Sequence, residues 1–156
     1  ALMNVEPEIS TDVIRRSMAI KADVVSQDER ETLGIRIMLN YGHTIGHALE
    51  STTEYGTFFH GEGVSVGMMG AATMAHEMGL HSQDLVDRQR VILERFNLPT
   101  SAKGLNVDAI LEGMSLDKKV QGGSKRWVML EDVGRSVVRT DVPEELVERT
   151  VRGLAS

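Results

Sequence analysis

The apolar positions of this chain recur mostly at helical spacing. From Thr11 to Ser26, Ile14, Met18 and Val25 fall at offsets of 0, 4 and 11, one helical stripe with Ser10 or Thr11 available as N-cap. Lys21 stands at offset 7, inside that stripe. A second helical run, rich in Leu, Ile and Ala, is predicted from about Arg36 to Ser51. Residues 52–60 read as a loop and Gly61 to Gly79 as a third helix. The small residues Gly63, Ser65, Gly67, Gly70, Ala71 and Ala72 would weaken that helix in isolation, so it is expected to be buried and crowded. Ser82 can cap a fourth helix reaching about Phe96, which must stop before Leu98-Pro99. A short fifth helix is expected near Val107 to Leu116. The period then becomes extended: Arg126 to Leu130 and Ser136 to Arg139 flank Glu131-Asp132-Val133-Gly134, the pattern of a β-hairpin. Pro143 opens a last helix, roughly Glu144 to Gly153. No repeat, low-complexity tract or linker divides the chain, so residues 1–156 read as a single, mainly α domain with one small hairpin near the C-terminus.

Composition narrows the chemistry. With 156 residues, 41% of them hydrophobic and 26% charged, the chain can build a core without metal or crosslinks, so a metal would be present for chemistry. Aromatics are 4% against nine Met and fifteen Gly, which favours helices packed closely over small residues. A net charge of -6 with no basic stripe argues against nucleic acid as a partner. The absence of cysteine excludes disulfides, thiolate metal sites and cysteine nucleophiles, and fits a cytoplasmic setting. No apolar run is long enough for a membrane span, and the N-terminal residues lack the order of a signal peptide.

Candidate chemistry is concentrated between Arg36 and Glu62. Arg36, Asn40, His43 and His47 are spaced by 4, 3 and 4 residues, which on a continuous helix puts all four on one face, with Glu50 continuing the row. Two imidazoles at i and i+4 can point at a common metal, and a guanidinium and an amide beside them can meet an anion or hydroxyl. Gly42 and Gly46 would admit a neighbouring backbone, and His60, after a loop, could return a third imidazole to the same place. His76 and His81 have no polar companions at helical spacing and read as structural. Lys21 is explained equally by snorkelling, and Asp117-Lys118-Lys119 before Gly122-Gly123 is by itself an ordinary charged loop.

The string Leu39-Asn40-Tyr41-Gly42-His43-Thr44-Ile45-Gly46-His47-Ala48-Leu49-Glu50, followed by Tyr55-Gly56 and His60-Gly61-Glu62-Gly63-Val64-Ser65-Val66-Gly67-Met68, resembles the 3-dehydroquinate synthase family of the shikimate pathway and of aromatic amino acid biosynthesis. The likeness runs back through Ile20-Lys21-Ala22-Asp23-Val24-Val25 and forward through Leu98-Pro99, Asp117-Lys118-Lys119 and the hairpin. It implies the helical, metal-binding C-terminal domain of that fold, without the family's N-terminal NAD-binding α/β domain. It also implies a homodimeric lyase that uses NAD and a divalent metal, zinc or cobalt, to convert 3-deoxy-arabino-heptulosonate 7-phosphate, a phosphorylated keto-sugar acid, into 3-dehydroquinate with loss of phosphate. Carried over by position, His43 and His60 resemble metal ligands, and His47 resembles a non-ligand that hydrogen-bonds substrate and moves protons. Arg36 and Asn40 resemble catalytic, substrate-orienting groups, Lys21 a substrate contact, and Lys118 or Lys119 a further substrate cation. No cofactor-binding residue is expected in this chain.

The family's third metal ligand is a glutamate upstream of the matching region, and Glu6 and Glu8 do not stand in its context. The chain is therefore expected to be a fragment or one part of a split enzyme, inactive without the N-terminal domain. Two alternatives stand beside this reading: a related sugar phosphate cyclase of the 2-deoxy-scyllo-inosose or 2-epi-5-epi-valiolone synthase type, and a non-catalytic isolated domain.

Overall fold

In a computed structural model, which describes residues 4, 6–30, 32–53, 58–121 and 125–156 with the backbone alone for 116–121, the chain forms two units. They are Ala1–Leu39 and Asn40–Ser156, divided where the sequence carries no linker signal.

The first unit is built on α1, Pro7–Gln27. This helix starts before the expected Ser10 or Thr11 cap, because Pro7 at its first turn has the φ a helix needs and no N–H to satisfy. None of its residues is buried: Ile14 is 58% and Met18 67% exposed, so the apolar stripe read from the sequence is not a core face in this structure. The helix ends at Asp28, a carboxylate only 2% exposed that closes the following turn. Its Oδ1 accepts from the Leu33 N–H at 2.9 Å, and its Oδ2 from those of Ile35 at 2.9 Å and Arg36 at 3.3 Å. The bond from Leu33, then those from Arg36 and Ile35, hold the carboxyl below the ordinary aspartate range against the opposing effect of burial.

A 3-10 turn, Arg36–Asn40, leads into the second unit. The helix predicted from Arg36 to Ser51 is not continuous: α2 runs only over His43–Thr52, after Gly42 at φ 80°. Arg36 and Asn40 therefore do not share a helical face with His43 and His47, which corrects the expected row. The cause is visible in α3, His60–Glu77, which crosses α2 with the two backbones in contact. A Cβ on Gly42 would lie 2.7 Å from the Met68 nitrogen and the Val64 oxygen, and one on Gly67 would lie 1.9 Å from the Gly42 oxygen. Gly46 and Gly63 continue the contact one turn on. The left-handed residue turns the chain sharply enough to lay α2 on this seam, and only glycine takes that φ and that distance together.

As expected, α3 is buried and crowded. One side of it joins the main core, where Val66 and Met74 meet Ile45 and Leu49 of α2, Ile110 and Met114 of α5 (Val107–Gln121), and Val147 of α6 (Glu144–Ala155). The other side places Met69 and Ala72 against Val86 and Leu93 of α4, Gln83–Arg95. A helix buried on two sides has no polar face, which is why its sequence shows so little amphipathic contrast. The hairpin is β1, Trp127–Asp132, antiparallel to β2, Arg135–Arg139, with Trp127 paired to Arg139. Its turn is tighter than expected, Val133-Gly134 alone, with Gly134 at φ 78° and a bulge between Leu130 and Asp132. The strand sends Trp127 and Met129 into the core. Among the described residues, no helix is long and apolar enough to cross a membrane.

Two glycine substitutions should separate the seam from ordinary helical glycine. Gly67→Ala forces α2 and α3 apart and is expected to destabilise the fold by about 3 kcal/mol or more. Gly153→Ala, where a Cβ meets nothing within 4 Å in a helix, should be neutral or stabilising by up to about 1 kcal/mol. Urea titrations of both variants check this; equal effects would show that the seam imposes no special constraint.

Candidate functional site

The α2–α3 seam brings three imidazoles together. His43 opens α2, His47 lies one turn later, and His60 opens α3. Ring centroids are 5.3 Å apart for His43 and His47, 5.3 Å for His43 and His60, and 5.9 Å for His47 and His60. The start of α3 is fixed by Glu62, whose carboxylate accepts from the Phe59 N–H at 2.8 Å. That bond sets where His60 leaves the loop.

Each of two rings has a hydrogen-bond partner that decides its tautomer. His43 Nδ1 lies 3.2 Å from the Tyr41 carbonyl oxygen, which can only accept, so Nδ1 carries the proton and the neutral ring keeps its lone pair on Nε2. His60 Nδ1 lies 2.9 Å from Glu50 Oε1, an acceptor-only carboxylate when ionised, and the same assignment follows. A histidine tied at Nδ1 to a carbonyl or carboxylate is oriented to offer Nε2 to a metal. No hydrogen bond to the His47 ring is formed among the described residues. Its exposed ring is available to a bound molecule.

Glu50 is the site residue whose role the sequence reading left open. Spacing had placed it at the end of the histidine row, but only the fold shows it facing His60 across the seam. Donor atoms of His47, Glu50 and His60 all lie within 4.8 Å of one another, a set that could also hold a cation. His43 is not in that set. The remaining residues are distributed otherwise. Lys21 is exposed on α1 and Arg36 donates from Nη1 to the Glu29 carbonyl at 3.2 Å, both in the first unit, while Asn40 is exposed at the start of the second. The side chains of Lys118 and Lys119 lie outside the described residues. His76 and His81 form a separate pair, with His76 Nδ1 3.0 Å from the His81 carbonyl.

Burial pushes the pKa of His43 below the ordinary histidine value; the Tyr41 hydrogen bond opposes this, and repulsion from His47 and His60 adds to it. The ring is thus neutral at neutral pH. In the unfolded chain it takes up a proton first as the pH falls, so stability should decline from about pH 6.5 downward until the folded ring is protonated too. Imidazole NMR signals should place the His43 midpoint below about 6.5. Melts between pH 7.5 and 5 should show a smaller decline in His43→Gln than in the unsubstituted chain, and an equal decline would contradict the assignment.

Comparison with known proteins places the chain in a family. The family model described as 3-dehydroquinate synthase C-terminal matches residues 1–120. The 3-dehydroquinate synthase of Nostoc punctiforme is 40% identical over 154 residues, covering 98% of this chain and 42% of that protein. That of Nitrosospira multiformis is 44% identical over 146 residues, covering 94% and 40%. The chain therefore spans about two-fifths of the length of these relatives. Among solved structures, a 2-epi-5-epi-valiolone synthase from Streptomyces hygroscopicus with NAD+ and Zn2+ bound superposes with a TM-score of 0.83 at 20% identity, over 96% of this chain and 41% of that one. A 2-deoxy-scyllo-inosose synthase complexed with carbaglucose-6-phosphate, NAD+ and Co2+ gives 0.77 at 28% identity, over 90% and 39%. A glycine seam carrying three histidines, a helical unit closed by one hairpin, and a family match over most of its length converge on one assignment: the chain belongs to the 3-dehydroquinate synthase C-terminal family.

Proposed function

We propose that this chain is the metal- and substrate-binding part of a 3-dehydroquinate synthase, a cytoplasmic enzyme of the shikimate pathway, and that it works with an NAD-binding portion in the region of the relatives that it does not span. The observation that carries this reading is the convergence of His43, His47 and His60, with Nδ1 of two of the rings committed to Tyr41 and Glu50. Relatives at 40–44% identity are all 3-dehydroquinate synthases, whereas the cyclases of other substrates stand at 20–28%, which favours the keto-sugar acid phosphate over their substrates.

The donor set fits a divalent ion of the zinc or cobalt kind, which takes imidazole nitrogen and carboxylate oxygen readily. His43 and His60 would hold it through Nε2, with Glu50 orienting His60. An ion held there would supply Lewis-acid chemistry at substrate hydroxyls, and NAD bound by the remaining portion would supply hydride transfer. The chain's own residues do the rest. His47, exposed and without a hydrogen bond to its ring among the described residues, would move a proton between substrate oxygen and solvent as the hydroxyl is oxidised, phosphate is eliminated and the ketone is reduced back. Arg36, Asn40, Lys21 and one of Lys118 and Lys119 would orient the carboxylate and phosphate, Arg36 by its planar fork. A second metal reading has its own support: the 4.8 Å grouping would make His47 and Glu50 ligands beside His60.

Calorimetric titration with zinc and cobalt separates the two sets. His60→Ala should weaken binding at least about 10-fold, and His43→Ala should weaken it more than His47→Ala does. Loss of binding in His47→Ala and Glu50→Gln with His43→Ala unaffected would instead establish the second set. Joined to the upstream region that the longer relatives possess, the chain should form 3-dehydroquinate, and Arg36→Lys should cut kcat/KM by about 10- to 150-fold. Turnover of only a glucose-type or heptulose substrate of the related cyclases would overturn the substrate assignment, and metal binding without any turnover would overturn the catalytic one.

A further inference from the structure

We infer that Gln89 of α4, acting through Tyr41, is a positioning residue for His43, and that it fixes the tautomer in which His43 meets a divalent cation. Tyr41 links two contacts. Its carbonyl oxygen faces His43 Nδ1 at 3.2 Å, while its hydroxyl lies 2.8 Å from Gln89 Oε1 and 3.3 Å from the Met68 carbonyl. Gln89 is itself tied to α3: its Nε2 donates to the Met68 carbonyl at 2.9 Å and lies 3.6 Å from the Met69 sulfur. One amide therefore joins α4, α3 and the residue that precedes the Gly42 bend.

The geometry has a directional consequence. The peptide after Tyr41 enters the left-handed Gly42, so the direction of the Tyr41 carbonyl depends on how the chain is held on both sides of that bend. The side chain of Tyr41 supplies one such hold from outside the loop. Its hydroxyl donates to the Gln89 side-chain oxygen at 2.8 Å. A polar bridge that is itself partly buried is worth keeping satisfied, since an unpaired amide or hydroxyl there would be costly. The same bridge explains why α4, which carries none of the site histidines, packs on α3 with a glutamine among otherwise apolar contacts.

This inference rests on the proposed role of His43 toward a cation, and its test separates the two. In Tyr41→Phe, which removes one oxygen, and in Gln89→Met, which keeps length but removes both hydrogen bonds, ring nitrogen NMR shifts should show His43 passing from the Nδ1–H form to a mixture of tautomers. Cobalt affinity should fall about 10-fold in either variant and no further in the double variant, because the two residues act in one chain of contacts. Thermal melts normalise for folding, and Tyr41→Phe, the milder change, keeps the test open if Gln89→Met unfolds. An unchanged His43 tautomer and cobalt affinity within about 2-fold in folded Tyr41→Phe would overturn the inference, even while His43→Ala abolishes binding. A shifted tautomer with full cobalt affinity in His43→Ala would instead uphold the positioning role and overturn His43 as a ligand.

Discussion

The contact on which the second unit depends is the backbone-to-backbone seam between α2 and α3. At Gly42 and Gly67 there is no room for a methyl group, at Gly46 and Gly63 a Cβ would be tight against backbone, and the closest approach, at Gly67, would put a Cβ 1.9 Å from the Gly42 oxygen. Glycine in a helix costs roughly 1 kcal/mol of stability per residue relative to alanine. That loss is offset by dispersion and burial: the close approach leaves Ile45, Leu49, Val66 and Met69 each 1% exposed or less. It also brings two helices near enough for His43, His47 and His60 to lie with ring centroids 5.3–5.9 Å apart.

The seam and the site are therefore one construction. Gly42 and Gly46 immediately precede His43 and His47, so the residues that permit contact and the candidate site histidines are neighbours in the chain. The histidines stand at the rim of the crossing, where His43 is partly buried and His47 and His60 are exposed. This gradient differentiates three chemically identical side chains. Burial holds His43 neutral and the Tyr41 carbonyl holds it in one tautomer, Glu50 orients His60, and the His47 ring forms no hydrogen bond among the described residues.

Much of this was legible in the sequence. The small residues of α3 announced a crowded helix, the alternation around Trp127 announced the hairpin, and the twelve-residue string around His43 and His47 announced the family. Gly42 was read as room for a neighbour but not as a break, because a glycine amid Leu, Ile and His at helical spacing does not interrupt periodicity; only the left-handed φ does. The stripe of Ile14 and Met18 was legible as helical, yet periodicity cannot say what, if anything, covers such a face. Glu50 was visible as a position but not as a partner of His60, since the contact spans ten residues and depends on the loop before α3. The bridge from Gln89 to Tyr41 spans 48 residues and carries no spacing signal at all.

The same reasoning accounts for how a superposition with a TM-score of 0.83 survives at 20% identity. Most core positions need only an apolar side chain of suitable volume, and such positions exchange freely among Leu, Ile, Val and Met. The seam is different, because backbone contact admits no larger residue and a left-handed bend admits few others. Identity should therefore be held at a handful of glycines and at the imidazoles beside them. Residues that touch substrate from elsewhere, such as Arg36 and Lys21 in the proposed reading, carry no packing constraint of that kind. In that reading the placement of the imidazoles is tied to the fold, while the groups proposed to meet substrate are not.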